Sequence, residues 1–219
     1  MKKHLNAIMY GGTAMIRINE NQIESIARLL TKCFINDPLI IMQTKGIDDR
    51  EKFLKKLFMS QLPIFQKTIE VFSLDDKLNS VIIGYEKKNY KSFRTLILNL
   101  MASPRVFRVL GKKDFKIYSS NVKNALKVIN LKWQKEFIKS NYYYIKVIAI
   151  ANEERGKGVF RKLITPTLNY CNENTIPIIL ESNDPNNTPI YEHFGFKLVK
   201  TIAENEIDLR QYCFIKCPD

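Results

Sequence analysis

Between Tyr142 and Phe196 the chain runs from an apolar strand through a glycine turn into a helix and on to a second apolar strand. This succession constrains the fold more than any other feature. Tyr142–Ile150 reads as a buried strand, and Ala151–Glu154 leads from it into Arg155-Gly156-Lys157-Gly158-Val159-Phe160, which opens an amphipathic helix. Ile178–Glu181 is the second strand, followed by Asn187-Thr188-Pro189-Ile190-Tyr191-Glu192-His193-Phe194-Gly195-Phe196. A glycine turn that feeds a helix start presents unpaired backbone N–H groups at the positive end of the helix dipole, which suits a phosphate. The pattern therefore points to an enzyme that handles a pyrophosphate-bearing cofactor, with the phenol of Tyr191 near the same sheet edge.

The rest of the chain supplies a sheet and its covering helices. Residues 1–14 carry little pattern and read as a leader, and Met15–Ile18 is a short first strand. Asn19 and Gln22 have capping-box spacing before a helix that carries Ile23, Ile26, Ala27, Leu30, Cys33 and Phe34 on one face. That helix should stop before Pro38, because a residue preceding proline avoids the helical region. A second helix is predicted over 48–65, then strands over 69–74 and 81–85 joined by a polar turn. Residues 92–139 hold no convincing strand and are predicted as helices over 96–109 and 122–137. Strands over 196–201 and 209–215 close the chain. The order predicts one mixed α/β sheet domain over 15–219, with a helical insert before its fourth strand and a cofactor core over about 142–200.

Composition narrows the function. Lys and Arg number 35 against 22 acidic residues, a formal net charge of +13, which favours anionic partners. No run of five or six like charges occurs, so a basic nucleic-acid arm is not expected. Neither a metal nor a membrane is expected. Cys213 and Cys217 lack a third ligand nearby, and no apolar run approaches the roughly 18 residues of a membrane span. With no signal-peptide core after Lys2 and Lys3, the reading is a cytoplasmic protein.

At this point the residues resemble the GNAT superfamily of N-acetyltransferases. The family turn is Gln or Arg, two residues, Gly, one residue, then Gly or Ala; Arg155 to Val159 fits it, and Phe160 stands where a small residue is usual. A narrower resemblance is to the puromycin N-acetyltransferase-like branch, carried by Phe34–Pro38, the helical insert, Leu180–Ser182 and Asn187–Tyr191. The likeness spans roughly residues 15–215. It implies acetyl-CoA in a gap between the fourth and fifth predicted strands, Tyr142–Ile150 and Ile178–Glu181.

The resemblance also implies roles. Gly156 to Arg161 would cradle the pyrophosphate, with Lys157 and Arg161 adding charge and Arg155 opening the turn. The backbone of Ile148, Ala149 and Ile150 would meet the pantetheine and polarise the thioester carbonyl. Asn187 is a further cofactor contact, although the family's usual asparagine position, seven before the tyrosine, is Asp184 here. Tyr191 is the candidate general acid, against a purely packing role. Glu181 is the candidate base, against a solvated strand end. His193 reads as exposed helix decoration. The expected activity is acetyl transfer to a small-molecule amine by direct attack. A non-catalytic acetyl-CoA sensor is the alternative, a nucleic-acid binder is a third reading, and homodimerisation is left open.

Overall fold

The computed structural model describes residues 7–10 and 13–219, with side chains from Met15 onward apart from residues 102, 103 and 105. Eight strands form one sheet in the order β1-β2-β3-β4-β5-β6-β8-β7. They are β1 (Ala7–Tyr10), β2 (Thr13–Arg17), β3 (Glu70–Ser73), β4 (Ser80–Glu86), β5 (Tyr143–Ile150), β6 (Ile178–Ser182), β7 (Lys197–Glu204) and β8 (Ile207–Lys216). All neighbours are antiparallel except β5 and β6. The mixed sheet is as expected, with β1 added to the count, so the insert precedes the fifth strand. Within the expected leader, Ala7–Tyr10 pairs with β2, while residues 1–6 and 11–12 lie outside the described residues.

Helices cover both faces. α1 (Ile23–Phe34), α2 (Pro38–Gln43), α3 (Arg50–Thr68), α4 (Ser92–Leu110) and α5 (Lys112–Ala125) precede β5; α6 (Val159–Glu173) and α7 (Thr188–His193) follow it. The capping box at Asn19 and Gln22 forms. Proline ends one helix and starts the next: α1 closes at Phe34, Asp37 caps α2 by accepting from the N–H groups of Leu39 and Ile40, and Pro38 takes the first helical position. α1 and α3 pack on one sheet face through Ile26, Leu30, Leu54 and Leu57 against Val81, Ile83 and Ala149. α6 packs on the other through Leu163 and Ile164 against Ile82, Ile145 and Leu180.

The insert departs from its sequence pattern. α4 continues through Pro104, and the helix predicted over 122–137 is instead the end of α5, a turn, and a short 3₁₀ helix at Trp133–Glu136. Trp133 is fully buried with Tyr142, Ile179, Cys213 and Ile215. Its side chain, more than any helical periodicity, anchors this segment to the sheet. Among the described residues, no helix is long and apolar enough to cross a membrane.

Candidate active site

β5 and β6 run parallel and part. They are in register only from Tyr143–Ile145 against Ile178–Leu180. Beyond Ile145, β5 stays paired with β4 as far as Ile150, so its other edge is left open. Sequence places the opening here because each strand is followed by its own excursion, α6 after one and α7 after the other.

A bulge decides what the open edge offers. Ile83 faces Val147 and Gly84 faces Ile145, leaving Lys146 as an extra residue on β5. Tyr143 and Ile145 therefore point to the α6 face, whereas Val147 and Ala149 point to the α1/α3 face and Ile148 and Ile150 return to α6. Gly84 makes room for this. A Cβ there would stand 2.7 Å from the Tyr144 carbonyl oxygen and 2.7 Å from a Tyr143 ring carbon.

Backbone direction follows by alternation. The Ala151 N–H donates to Asn79 O at 2.8 Å, so residues two apart from it turn their polar groups toward β4. Ile148 and Ile150 then turn theirs into the gap, and the Cys33 thiol reaching Ile150 O at 3.3 Å fits that direction. Of the three strand residues expected to meet a cofactor, two face the gap. Ala149 pairs with Val81 and buries its methyl in the core.

At the far end of the gap the chain makes the predicted turn. Gly156 and Gly158 both have positive φ, +76° and +73°, and no atom lies within 4 Å of where a Cβ would project. α6 then starts at Val159 with no acidic residue in its first turn. This open helix start fits a pyrophosphate. The nearby charges are partly engaged: Lys157 pairs with Glu154 at 3.5 Å, and Arg161 contacts His193 at 2.9 Å and lies over the Phe194 ring at 5.1 Å. Arg155 lies close enough to Cys33 to counter the burial that raises its thiol pKa. A groove of ≈ 550 Å³ beside the β3–β4 turn is lined by Lys77, Arg161 and Lys162 among others, and it contains neither Tyr191 nor Glu181. It flanks the start of α6.

Phe160, the departure from the family turn, packs away from the glycines. Its ring lies 5.0 Å from Phe194 and 6.2 Å from Tyr191, joining the start of α6 to α7. Tyr191 is further held by Phe196 at 6.1 Å and Phe214 at 5.2 Å. Among the described residues, its hydroxyl has no hydrogen-bond partner. Burial, with smaller contributions from the Asp37 and Asp184 carboxylates, pushes its pKa up to about 12. Asn187 is turned to a local task, donating to Ser182 Oγ at 3.0 Å, and Ser182 in turn caps the Asp184 turn.

Glu181 lies on the α1/α3 face. One carboxylate oxygen accepts from Trp133 Nε1, and the other accepts from the Tyr144 hydroxyl at 3.0 Å. Tyr85 stands edge-on to Tyr144 at 5.4 Å and stacks on Tyr90 at 4.2 Å. Burial and the neighbouring Glu181 charge hold Tyr144 protonated, well above the usual phenol range. Sequence reading missed these supports, and it missed Asp37 and Lys146. Lys146 had a visible signal as the single charge in the run Tyr142–Ile150. No group of three or more His, Cys, Asp or Glu side chains able to hold a metal occurs among the described residues.

A mixed sheet that parts at its one parallel pair, with a glycine-led helix start at the parting, defines the acyl-CoA N-acyltransferase fold of GNAT enzymes. Residues 128–209 match the family model described as acetyltransferase (GNAT) domain. A stretch of 60 residues is 45% identical to an uncharacterized N-acetyltransferase of Schizosaccharomyces pombe, spanning 27% of this chain and only 24% of that relative. The histone acetyltransferase HPA2 and related acetyltransferase from Corynebacterium glutamicum superposes with a TM-score of 0.65 at 16% identity, covering 94% of this chain and 96% of that one. Arylalkylamine N-acetyltransferase 2 from Aedes aegypti gives 0.55 at 14% identity, covering 94% and 98%. The solved structures speak to fold alone. With the family model and the curated relative, they support a GNAT acetyltransferase domain in this chain.

Proposed function

We propose that the protein is a cytoplasmic enzyme that transfers the acetyl group of acetyl-CoA to a primary amine of a small molecule by direct attack. One observation carries this reading: the sheet carries, on the α6 side, a protonated phenol, Tyr191, whose hydroxyl has no hydrogen-bond partner among the described residues, and on the other side an oriented carboxylate, Glu181. A sensor that only bound the cofactor would need neither group. The narrower likeness to the puromycin N-acetyltransferase-like branch gains support from Asp37, which caps α2 and is felt by Tyr191, and from the Ser182–Asn187 contact.

The residues divide the work. The N–H groups at the start of α6 would hold the pyrophosphate, and the Ile148 and Ile150 backbones would hold the pantetheine arm. Bound acetyl-CoA supplies an activated acyl group on a thiol leaving group. An N–H of the open edge then polarises the carbonyl oxygen as charge develops there. Glu181 receives the amine's proton, directly or through water. Tyr191, uncharged through the physiological range, donates to the departing sulfur. A thiol has a pKa of about 8.5, so a phenol near 12 serves the departing thiolate as a hydrogen-bond donor, and the thiol's proton comes finally from solvent.

The test is thermal unfolding with and without acetyl-CoA, then an amine panel scored by free-thiol release. At about 100 times its dissociation constant the ligand should stabilise the fold by roughly 2.7 kcal/mol. A shift with no thiol release from any amine would refute catalysis and leave the sensor reading.

A further inference from the structure

Lys146 is the extra residue of the β5 bulge, and its side chain lies on the α1/α3 face with its ammonium 5.8 Å from the centre of the Phe65 ring. Solvent reaches it, yet it sits deep enough among protein atoms that burial lowers its pKa, with Glu181 acting in the opposite direction. Among the described residues it makes no ion pair and no hydrogen bond. Glu181 stands on the same face where the strands part, fixed by Trp133 and Tyr144. This face of the sheet thus carries one positive and one negative group, with the rings of Phe65, Tyr85 and Tyr144 around them.

The free ammonium is not placed for the cofactor's phosphates. Ile150 is already about 13 Å further along the strand. The glycine turn and the start of α6 lie beyond it, and α6 covers the opposite face. Lys146 is left on the side of the gap where Glu181 stands. With Glu181 engaged by the amine, a plain amine or polyamine would leave Lys146 without an ion pair, whereas a carboxylate on the same molecule would supply one.

Resting on the acetyl-transfer reading, we infer that the acceptor is an amino acid in the broad sense, a small molecule with a carboxylate as well as a primary amine. Lys146 binds the carboxylate, and Glu181 takes the amine. The nitrogen bonds to the acetyl carbon as the carbon–sulfur bond breaks. The acceptor's ammonium loses two protons through Glu181 or water and keeps one as the amide N–H; the thiolate gains one, and one is left to solvent. The products are an N-acetylamino acid and CoA.

Acceptor pairs that differ only in the carboxylate test this: phenylalanine with 2-phenylethylamine, β-alanine with ethylamine, and lysine with cadaverine. Each is measured by calorimetric binding to the CoA-saturated protein and by thiol release with acetyl-CoA. The acid of each pair should be preferred. Lys146→Met, verified as folded by its melting point, should cut that preference by roughly ten- to a hundredfold, as loss of a charged hydrogen bond does. Lys146→Arg should retain most of it, and Lys146→Glu should reverse it. Equal or better binding of the decarboxylated partner, a preference indifferent to Lys146→Met, or no binding of any acid would overturn the inference. Thiol release with plain amines alone would keep acetyl transfer and discard the amino acid. Carboxylate-dependent binding lost in Lys146→Met, without thiol release, would keep the site and discard acetyl transfer.

Discussion

Tyr191→Phe separates chemistry from packing because the two roles predict opposite changes in stability. The ring is held by Phe160, Phe196 and Phe214, and phenylalanine preserves all of those contacts. The side chain is partly buried and its hydroxyl has no hydrogen-bond partner among the described residues, so removing it costs no bond. The variant should be as stable as the parent or up to about 1 kcal/mol more so, a rise in melting point of roughly 0–4 °C for a chain of this size. Turnover should fall by about 10²- to 10⁴-fold with acetyl-CoA affinity nearly unchanged. Alkaline behaviour gives a second reading. The folded pKa of about 12 lies above the value near 10 of an unfolded chain. Tyr191's contribution is therefore full below pH 10 and is lost as pH rises toward 12, a difference on the order of 2–3 kcal/mol. The variant should be less sensitive to alkali in that window. Melting curves from pH 8 to 11 and thiol-release kinetics would measure both. A turnover within about threefold of the parent, or a lowered melting point at neutral pH, would refute the reasoning.

Three further substitutions probe the other parts. Glu181→Gln leaves a single acceptor oxygen where Trp133 and Tyr144 both donate; stability should fall by about 1–3 kcal/mol and kcat/KM by at least tenfold. Full activity with an unchanged melting point would remove Glu181 from the site. Gly158→Asp meets no atom within 4 Å, so the cost is a left-handed backbone, about 1 kcal/mol, and a carboxylate where the phosphate should lie. The melting-point gain from acetyl-CoA should vanish; if it persists, the cradle is elsewhere. Gly84→Ala drives a methyl to 2.7 Å from the Tyr144 carbonyl, and a loss of about 1–3 kcal/mol is expected. A melting point within 1 °C of the parent would mean that the bulge relaxes freely.

The strand–turn–helix–strand core was legible because its punctuation is local. Gly156 and Gly158 mark a turn, Pro189 marks a helix start, and apolar runs mark both central strands. Glu181 and Tyr191 became candidates through the family resemblance laid on that core. The bulge was not legible. Period-two alternation can reveal a slip only where one face is polar, and Tyr142–Ile150 is apolar on both faces except at Lys146. The helix predicted over 122–137 failed because Trp133 is held by tertiary contacts and by Glu181, 48 positions away, which no local pattern records. Asp37 entered only as the residue before Pro38; its capping of α2 and its nearness to Tyr191 depend on how α1 and α7 meet the sheet.

The bulge gives β5 two reading frames. Before Lys146, odd-numbered residues belong to α6; after it, they belong to α1 and α3. Inserting one residue beyond it would put the rest of the strand out of phase: Ile148 and Ile150 would be driven against α1 and α3, and the amides that now face the gap would be spent on β4. Deleting a residue there would only close the bulge, with Val147–Ile150 still on their present faces, since the extra residue is Lys146. Substituting that same residue disturbs neither frame, because its side chain takes no part in the pairing of the strand. The donor half of the strand is thus closed to insertion. The choice of acceptor remains open to change, one codon at a time, at a single exposed position.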